Sequence, residues 1–523
     1  MENETEEQII RLLPRRKKGV LRIIFSRVFL LILLTVVQLV LLSFGISYFL
    51  ADNPIFIAAQ KAFSVVMILY LFNSDMDSSA KLTWLWIIMF FPYMGTIFLW
   101  FTTVDFGQRA LKKRIASVNA ESANMLTQKQ EVITKPEIVD SGTDDLCRYL
   151  GKTGSFPLYD HTEVTYLSSG EENFRALLDA LKQAKSFIYL EYFILDEGYM
   201  WGSVLAVLAE KVKQGVDVRV MYDGMCEISS LSFDYPERMQ TLGIPCKAFT
   251  KIHPFLSTNY NYRDHRKIAV IDGEIAFNGG VNLADEYINR RERFGHWKDS
   301  AVMLRGEAVK SFTLMFMQMW NITEPETDWK PLSHPVVSAV SDGFVMPFAD
   351  HPLDDDKVGE NIYMDMLNRA TRYVHIMTPY LILDGELEAA IRFAAERGVD
   401  VRLILPGIPD KKSAYALAKS HYRRLTQSGV KIYEYTPGFV HAKVCVSDDC
   451  KAVVGTINFD YRSLYHHFEC ATYLYRCTCI ADIEQDVLNT LEKCRPVTEE
   501  TIKHEKVFYK LLGGFLKIFA PLM

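Results

Sequence analysis

The sequence predicts an α/β protein in which two duplicated domains form one active site, preceded by N-terminal transmembrane helices. Three observations predict this architecture: an eight-residue motif that occurs twice, a longer repeat of strand and helix patterns around each copy, and long uncharged apolar runs near the N-terminus. At 523 residues the chain is long enough for about two to four domains.

The apolar runs lie within residues 1–115, which we predict to be a membrane region. Residues 28–50 carry no charge, and at about 1.5 Å per residue they exceed the ~30 Å hydrocarbon core of a bilayer. The run is too long for the apolar part of a signal peptide. We predict a second span at residues 82–101, with a kink at Pro92.

A third segment, residues 55–72, is also apolar but contains Gln60 and Lys61, which leaves open whether it crosses the membrane or lies on it. Basic residues flank the whole region on both sides, and the positive-inside rule places both flanks in the cytosol. An even number of spans follows, and two are favoured. We therefore expect a multi-pass protein of the cell membrane with cytosolic catalytic domains. The alternative is a buried apolar hairpin of a soluble protein.

Beyond this region the chain divides into a linker, two domains and a tail. Residues 116–144 are polar and lack an apolar period, so we predict a linker there. Two α/β domains are predicted to follow, at residues 145–328 and 329–496. In the C-terminal segment, residues 497–523, apolar residues at helical spacing lie opposite lysines. This amphipathic pattern fits both a helix at a membrane surface and a helix packed on the domain core.

The two predicted domains repeat the same order of elements. The pentapeptide Gly215–Arg219 recurs as Gly398–Arg402, and an apolar run followed by a helical pattern precedes each copy. A further helical pattern and a short strand then lead into the eight-residue motif. Strands that alternate with helices at this spacing predict a largely covered sheet in each domain.

The motif has histidine, lysine and aspartate at its first, third and eighth positions, and its two copies lie 176 residues apart. The six residues are His265, Lys267, Asp272, His441, Lys443 and Asp448. An asparagine follows each copy at the same offset, Asn282 after the first and Asn458 after the second. Because side chains alternate along a strand, the histidine and lysine of each copy project to one face.

If the domains meet about a pseudo-twofold axis, the motifs deliver two imidazoles, two ammonium groups and two amides to one pocket. The lysines and asparagines would bind a phosphate and offset the charge of a phosphoryl transition state. One neutral imidazole attacks phosphorus while the protonated partner donates to the leaving alkoxide, and the roles then reverse. Cationic side chains supply the charge that a metal supplies elsewhere, and the nine cysteines lack paired spacing. We therefore predict no metal and no cofactor.

Each histidine is expected to have an orienting carboxylate. Asp299 and Glu469 follow their motifs at similar distances and are the candidates. Asp272 and Asp448 belong to the motif and are candidate catalytic residues. Since Asp272-Gly273 is also a strong turn signal, a purely structural role for the motif aspartates is the alternative.

The pattern H-x-K-x4-D, followed by x6-G-[GST]-x-N, closely resembles the phospholipase D superfamily in both halves of the chain. Within it, segments such as residues 91–95 and 458–463 resemble bacterial cardiolipin synthases. The resemblance implies two phospholipase D-like domains that transfer a phosphatidyl group from one phosphatidylglycerol to another, giving cardiolipin and glycerol. It also implies His265 as the nucleophile and His441 as acid and then base. The pair His466-His467 departs from the family at a place where asparagine is common.

Three alternatives remain. A membrane-bound phospholipase D would pass the same intermediate to water and release phosphatidic acid. A nuclease or other phosphodiesterase has a similar motif, but two spans and a net charge of −6 argue against nucleic acid as a partner. A non-catalytic scaffold is disfavoured because both motifs are intact. The expected partners are thus phosphatidylglycerol, as donor and acceptor, and the lipid bilayer, while the oligomeric state stays open.

Overall fold

The computed structural model describes Val40 and residues 54–104, 109–250, 262–336, 339–354 and 356–522. Apart from Val40, the span predicted at residues 28–50 lies outside the described residues. The first described helices are α1 (Pro54–Asn73), α2 (Ser78–Phe90) and α3 (Pro92–Val104). Among the described helices, α1 alone is long and apolar enough to cross a membrane. It coincides with the segment whose status the sequence left open.

The segment predicted as a second span with a kink at Pro92 is divided at that point into the helices α2 and α3, and its crossing of a membrane stays a prediction. The chain leaves the helical conformation at Phe91 (φ −130°, ψ 67°), as expected for a residue that precedes proline. Each flanking helix has 13 residues and is therefore only about 20 Å long. The two helices pack closely at the bend, where a Cβ on Gly95 would lie 3.0 Å from the Ile87 carbonyl oxygen.

The segment predicted as a linker contains helices in the structure. They are α4 (Arg109–Ser122), α5 (Gln130–Ile133), α6 (Pro136–Asp140) and α7 (Thr143–Thr153). Ile115 of α4 is buried in a core that both domains share, and Ile138 and Leu146 are buried against the second domain. Residues 116–144 therefore pack on the catalytic domains instead of forming a free connection.

The described strands of the first domain form a mixed sheet. They are β1 (Thr162–Leu167), β2 (Phe187–Tyr192), β3 (Asp217–Asp223), β4 (Cys246–Phe249), β5 (Arg263–Asp264), β6 (Lys267–Ile271), β7 (Ile275–Gly279), β8 (His296–Lys298) and β9 (Ala301–Gly306). The sheet order is β1-β9-β7-β6-β2-β3-β4, with β5 and β8 outside it. The helices are α8 (Gly170–Gln183), α9 (Tyr199–Lys213), α10 (Cys226–Ser229), α11 (Tyr235–Gln240) and α12 (Val309–Asn321).

The second domain repeats this sheet. Its strands are β10 (Phe344–Asp350), β11 (Tyr373–Met377), β12 (Leu381–Ile382), β13 (Asp400–Pro406), β14 (Lys431–Tyr435), β15 (Gly438–Val440), β16 (Val444–Ser447), β17 (Lys451–Gly455), β18 (Phe459–Asp460), β19 (His467–Tyr475) and β20 (Cys494–Pro496). The order β10-β19-β17-β16-β11-β13-β14 matches the first sheet strand for strand, with β20 added at one edge. The predicted duplication of an α/β domain is therefore confirmed.

The two domains share an apolar core. One face of each sheet contributes to it, through Val270 of β6 and Val446 of β16, and Phe316 of α12 belongs to the same cluster. The remaining helices of the second half are α13 (Val358–Arg369), α14 (Gly385–Glu396), α15 (Lys412–Gln427), α16 (Tyr461–Tyr465), α17 (Cys479–Leu491), α18 (Glu499–Lys503) and α19 (Val507–Lys517). Burial of a common apolar face fixes the orientation of the domains and thus of their motifs.

The C-terminal amphipathic segment packs on the second domain, and the membrane-surface placement that the sequence left open stays a prediction. One face of α19 packs on α15, where a Cβ on Gly513 would lie 2.3 Å from the Ala416 carbonyl oxygen. The other face exposes large apolar side chains, namely Val507, Phe508, Leu511 and Phe515. Just beyond α19, the carbonyl of Ile518 accepts a hydrogen bond from the Thr83 hydroxyl of α2. The C-terminal segment is thus joined to the N-terminal helices.

Candidate active site

Two short strand pairs cross the boundary between the domains and bring the motifs together. β5 of the first domain pairs in parallel with the start of β19 in the second, and β8 of the first pairs in parallel with β15 of the second. β5 ends immediately before His265, and β15 ends immediately before His441. The two strand pairs are equivalent under the pseudo-twofold relation between the domains that the sequence predicts.

Each motif histidine is held by a carboxylate of the other domain. His265 Nδ1 lies 2.9 Å from Glu469 Oε1, and His441 Nδ1 lies 2.7 Å from Asp299 Oδ2. All four side chains are buried. The two carboxylates expected from the sequence therefore contact the histidines, but each serves the motif that it does not follow. Because each Nδ1 is engaged, the Nε2 atoms are the ring nitrogens left for chemistry.

The motif lysines lie beside the histidines, as strand alternation predicts. Each is buried, and each ammonium group donates to the carbonyl oxygen of the histidine two residues earlier. Lys443 Nζ also lies 3.0 Å from the His441 ring nitrogens. Burial lowers the pKa of Lys267 to about 8 and that of Lys443 to about 7. The lowered pKa values show that the desolvated site disfavours uncompensated positive charge, so an anion bound beside the two lysines would be strongly stabilised.

Both histidines are neutral in the free protein. Burial lowers the pKa of His265 well below its usual range, and the charges of Lys267 and other nearby cations lower it further. Burial and the charge of Lys443 lower the pKa of His441 to about 4, against the opposing effect of Asp299. Charges from both motifs act on His265, which shows that the two half-sites form one electrostatic unit.

The two orienting carboxyl groups, Asp299 and Glu469, differ in the direction of their pKa shifts. Burial raises the pKa of Asp299, but His441, Lys443 and the Ser300 amide outweigh it, so that the pKa lies below its usual range. Burial raises the pKa of Glu469 well above its usual range, although Lys267 and the Thr456 hydroxyl oppose the effect. Asp299 is therefore the stronger anion, and His441 has the better partner for a protonated imidazole.

The glycines after each motif fit neighbouring protein groups. A Cβ on Gly280 would lie 2.1 Å from Asp299 Oδ1, so a glycine there leaves room for the carboxylate that holds His441. At the equivalent position of the second half, the Thr456 hydroxyl donates to Glu469. The close approach at these positions is thus made to the orienting carboxylates and the adjacent strand.

The two asparagines have different surroundings. The Asn282 side-chain oxygen accepts from the Ile194 amide at 2.9 Å, and its nitrogen donates to the Tyr287 hydroxyl at 2.7 Å. These contacts hold the Tyr287 ring 5.4 Å from the His441 ring. Asn458 is buried, and its side-chain oxygen has no hydrogen-bond partner among the described residues. The contacts of Asn282 are those of a positioning residue, and phosphate binding by Asn458 stays a prediction.

The motif aspartates lie at the far end of their strands, away from the histidines. Asp272 accepts hydrogen bonds from the amides of residues 185–187 at the start of β2, and Asp448 accepts from those of residues 371–373 at the start of β11. Both have left-handed backbone conformations, each with φ 54°. These contacts are those of turn formers and support the structural alternative, while the catalytic role of Asp272 and Asp448 stays a prediction.

Aromatic and imidazole rings beside the histidines were not among the predicted site residues. The Trp297 ring lies 5.2 Å from His441, and the His467 ring lies 5.3 Å from His265. Trp297 and His467 each stand two residues before an orienting carboxylate. This shared spacing is the feature of the sequence from which their place beside the histidines could have been predicted. His265, His467 and Glu469 also have ligand atoms within 4.8 Å of one another. They form a donor cluster that the sequence prediction of no metal-binding group did not anticipate.

Comparisons with known proteins agree with this geometry. A family model described as cardiolipin synthase, phospholipase D-like domain, matches residues 177–320 and 363–490. A cardiolipin synthase of Alkalihalophilus pseudofirmus is 33% identical over 88% of this chain and 92% of its own length. An uncharacterized protein of Streptococcus mutans is 54% identical over 87% of this chain and 99% of its own.

Among solved structures, a phosphatidylserine synthase of Haemophilus influenzae shares the fold, with a TM-score of 0.53 at 18% identity over 69% of this chain and 93% of its own length. The family match, the relatives and the paired half-sites lead to one conclusion. The chain belongs to the cardiolipin synthase family of phospholipase D-like proteins and is an enzyme of the phosphatidyltransferase type.

Proposed function

We propose that this enzyme transfers a phosphatidyl group from one phosphatidylglycerol to the terminal hydroxyl of another, giving cardiolipin and glycerol. The observation that carries the proposal is the reciprocal pairing of His265 with Glu469 and of His441 with Asp299. This pairing leaves two Nε2 atoms for two successive steps, beside two buried lysines that would hold the phosphate.

In the first step, Nε2 of His265 attacks phosphorus and a P–N bond forms as the P–O bond to the glycerol headgroup breaks. Protonated His441 donates its Nε2 proton to the departing alkoxide, and glycerol leaves. In the second step, the terminal hydroxyl of another phosphatidylglycerol attacks the same phosphorus. Its proton passes to His441, the P–N bond breaks, and cardiolipin is released. Both histidines are then restored.

The assignment of His265 as nucleophile is supported by the difference between the half-sites. His265 has a pKa well below its usual range and faces a carboxyl group whose pKa is raised, so it remains a neutral imidazole with a free electron pair. His441 faces the ionised Asp299, which stabilises the imidazolium form that a general acid needs. A phosphodiester anion bound beside Lys443 would raise the pKa of His441 further toward that form.

The enzyme is proposed to act at the bilayer, as a multi-pass protein with cytosolic catalytic domains. The apolar helix α1, the uncharged residues 28–50 and the exposed apolar face of α19 support this placement. A lipid acceptor must compete with water for the phosphohistidine, so a site at the membrane that excludes water favours transfer over hydrolysis.

Reconstitution of the purified full-length enzyme into phosphatidylglycerol bilayers tests the proposal. Cardiolipin and glycerol are expected in equal amounts, whereas phosphatidic acid without cardiolipin would identify the enzyme as a phospholipase D. Rapid quenching followed by peptide mass spectrometry should find a phosphatidyl adduct on His265, and His265→Ala and His441→Ala should each abolish turnover. An adduct on His441 would reverse the assigned roles.

A further inference from the structure

His467 is a third imidazole of the site, and the two-histidine reaction does not use it. Its side chain is buried, and neither ring nitrogen has a hydrogen-bond partner among the described residues. A buried polar group without a partner costs stability unless something else occupies its free electron pair. The ring lies 5.3 Å from the His265 ring, so a ligand of His467 would stand at the proposed nucleophile.

The pseudo-twofold relation shows that an imidazole is not required at this position. β5 pairs with the start of β19 as β15 pairs with β8. Trp297 of β8 therefore occupies in one half the position that His467 of β19 occupies in the other. Trp297 packs on His441, and its indole nitrogen donates to Asp299 at 3.4 Å. An indole can pack against a ring and donate a hydrogen bond, but it has no nitrogen electron pair with which to bind a cation. A neutral imidazole can do all three.

We propose that His265, His467 and Glu469 form an inhibitory site for Zn²⁺. The Glu469 Oε1 atom lies 2.9 Å from His265 Nδ1 and 3.5 Å from His467 Nδ1. Zinc bonds of about 2.0–2.2 Å in a tetrahedral arrangement place neighbouring ligand atoms roughly 3.3–3.5 Å apart. The ligand atoms of all three residues lie within 4.8 Å of one another, so side-chain shifts of at most about 1.5 Å convert the observed arrangement into a two-histidine, one-carboxylate zinc site.

Zinc at this position would stop the proposed reaction through the tautomer of His265. The neutral ring in the free enzyme has its proton on Nδ1, facing Glu469, and its electron pair on Nε2. When Nδ1 binds zinc, the proton of the neutral ring moves to Nε2, and the electron pair that would attack phosphorus is lost. This inhibition rests on the proposed function, whereas the metal binding does not.

The composition of the site selects among cations. Lys267 has a buried ammonium group in the same site, which opposes any cation, so only strong donors offset the repulsion. Two imidazoles suit Zn²⁺ and Co²⁺, while Mg²⁺ and Ca²⁺ need several oxygen ligands and find one carboxylate here. Zinc is thus expected to inhibit at concentrations at which magnesium has no effect.

Co²⁺ is a suitable probe because its visible absorption reports coordination without any assay of activity. Titration of the full-length wild-type protein in lipid nanodiscs should give a tetrahedral cobalt spectrum, which zinc displaces. His467→Asn should bind at least about tenfold more weakly, since even loss of an outer partner of a metal ligand costs about 10–100-fold. His466→Asn is the matched control, because the adjacent ring contacts the Pro521 carbonyl and lies outside the donor cluster.

His467→Gln is measured beside His467→Asn, and thermal unfolding shows that each variant retains its fold. Cobalt binding that is equal in wild type and in both folded variants would overturn the site, as would the absence of binding in wild type. In the second arm, Zn²⁺ should inhibit cardiolipin formation reversibly with EDTA, and the variants should need at least about tenfold more zinc. Cobalt binding that depends on His467 in a protein that makes no cardiolipin would support the site and contradict the proposed function.

Discussion

Glu469 of the second domain holds Nδ1 of His265 in the first domain at 2.9 Å, across 204 residues of sequence. Asp299 and His441 form the reciprocal contact at 2.7 Å. The exchange means that neither domain contains a complete half-site of its own.

Replacement of either orienting carboxyl group by an amide should reduce turnover without unfolding the protein. Glu469→Gln and Asp299→Asn retain the shape of the side chain, but their amides no longer fix the Nδ1–H tautomer of the opposing histidine. We expect kcat to fall by about 10²–10⁴-fold in each variant, measured as cardiolipin formed in bilayers. Activity within twofold of wild type in both would contradict the orienting role.

Asp448→Asn is expected to behave differently, because this motif aspartate supports the start of β11. Its carboxylate accepts hydrogen bonds from the backbone N–H groups of Thr371, Arg372 and Tyr373 at 2.8–2.9 Å. An asparagine has only one acceptor oxygen and can therefore satisfy only some of these donors. The free energy of unfolding should drop by about 1–3 kcal/mol, while kcat at a temperature where the variant is folded stays near wild type. A loss of kcat as large as that of Asp299→Asn would restore a catalytic role to the motif aspartates.

Gly280→Ala should displace the carboxylate that serves His441. The added Cβ would lie 2.1 Å from Asp299 Oδ1, and a shift of about 1 Å in a catalytic group can cost about 10²-fold in rate. Gly385→Ala is the matched control, since its Cβ would meet no atom within 4 Å. Equal activities of the two variants would show that Asp299 tolerates displacement.

The pH dependence of kcat/KM should show the loss of the Lys443 charge. Burial lowers its pKa to about 7, so kcat/KM should fall by about tenfold or more as the pH rises from about 6 to about 9, because a cation that stabilises the transition state is lost. The unfolded chain binds this proton up to its ordinary pKa of 10.5. Between about pH 7 and that value the unfolded state therefore holds more protons, and this lysine makes stability rise with pH.

Above about pH 7, kcat/KM should consequently fall while the contribution of Lys443 to the free energy of unfolding increases. Melting temperatures measured at each pH separate the two effects. A fall in kcat/KM that follows a fall in melting temperature would attribute the profile to unfolding instead of to the lysine.

The exposed face of α19 should contact lipid. Leu511 is 71% exposed, and a tryptophan there should be quenched by brominated lipids, after subtraction of the signal of the wild-type tryptophans. Lys182→Trp, on the exposed surface of α8, is the control and should not be quenched. Equal quenching at the two positions would argue that α19 does not lie on the membrane.

The parts of the fold that follow local patterns were predictable from the sequence. The duplicated order of strands and helices follows from repeats such as residues 215–219 and 398–402, and strand alternation placed His265 and Lys267 together. Asp299 and Glu469 were recognised as orienting carboxylates. Their exchange was not, because it depends on β5–β19 and β8–β15 pairing between segments far apart in the chain, for which a single sequence contains no signal.

Two differences between the predicted and the observed secondary structure have related causes. Hydropathy over residues 82–101 predicts one span with a kink at Pro92, because a window of composition does not register that two separate helices of 13 residues meet at Phe91. Residues 116–144 looked like a linker since their few apolar residues, such as Val118 and Ile138, are buried by distant partners. In both cases tertiary contacts, which local composition does not report, decided the outcome.

The crossed carboxylates have a consequence for ancestry. Two separate copies of one phospholipase D-like domain, related by a twofold axis, would satisfy both histidine–carboxylate contacts. A homodimer of a chain with one such domain would therefore be sufficient to build this site. Fusion of the two copies into a single gene then removes the requirement that both halves stay identical. Trp297 and His467, at equivalent positions beside the two histidines, are residues at which the two halves of this chain differ.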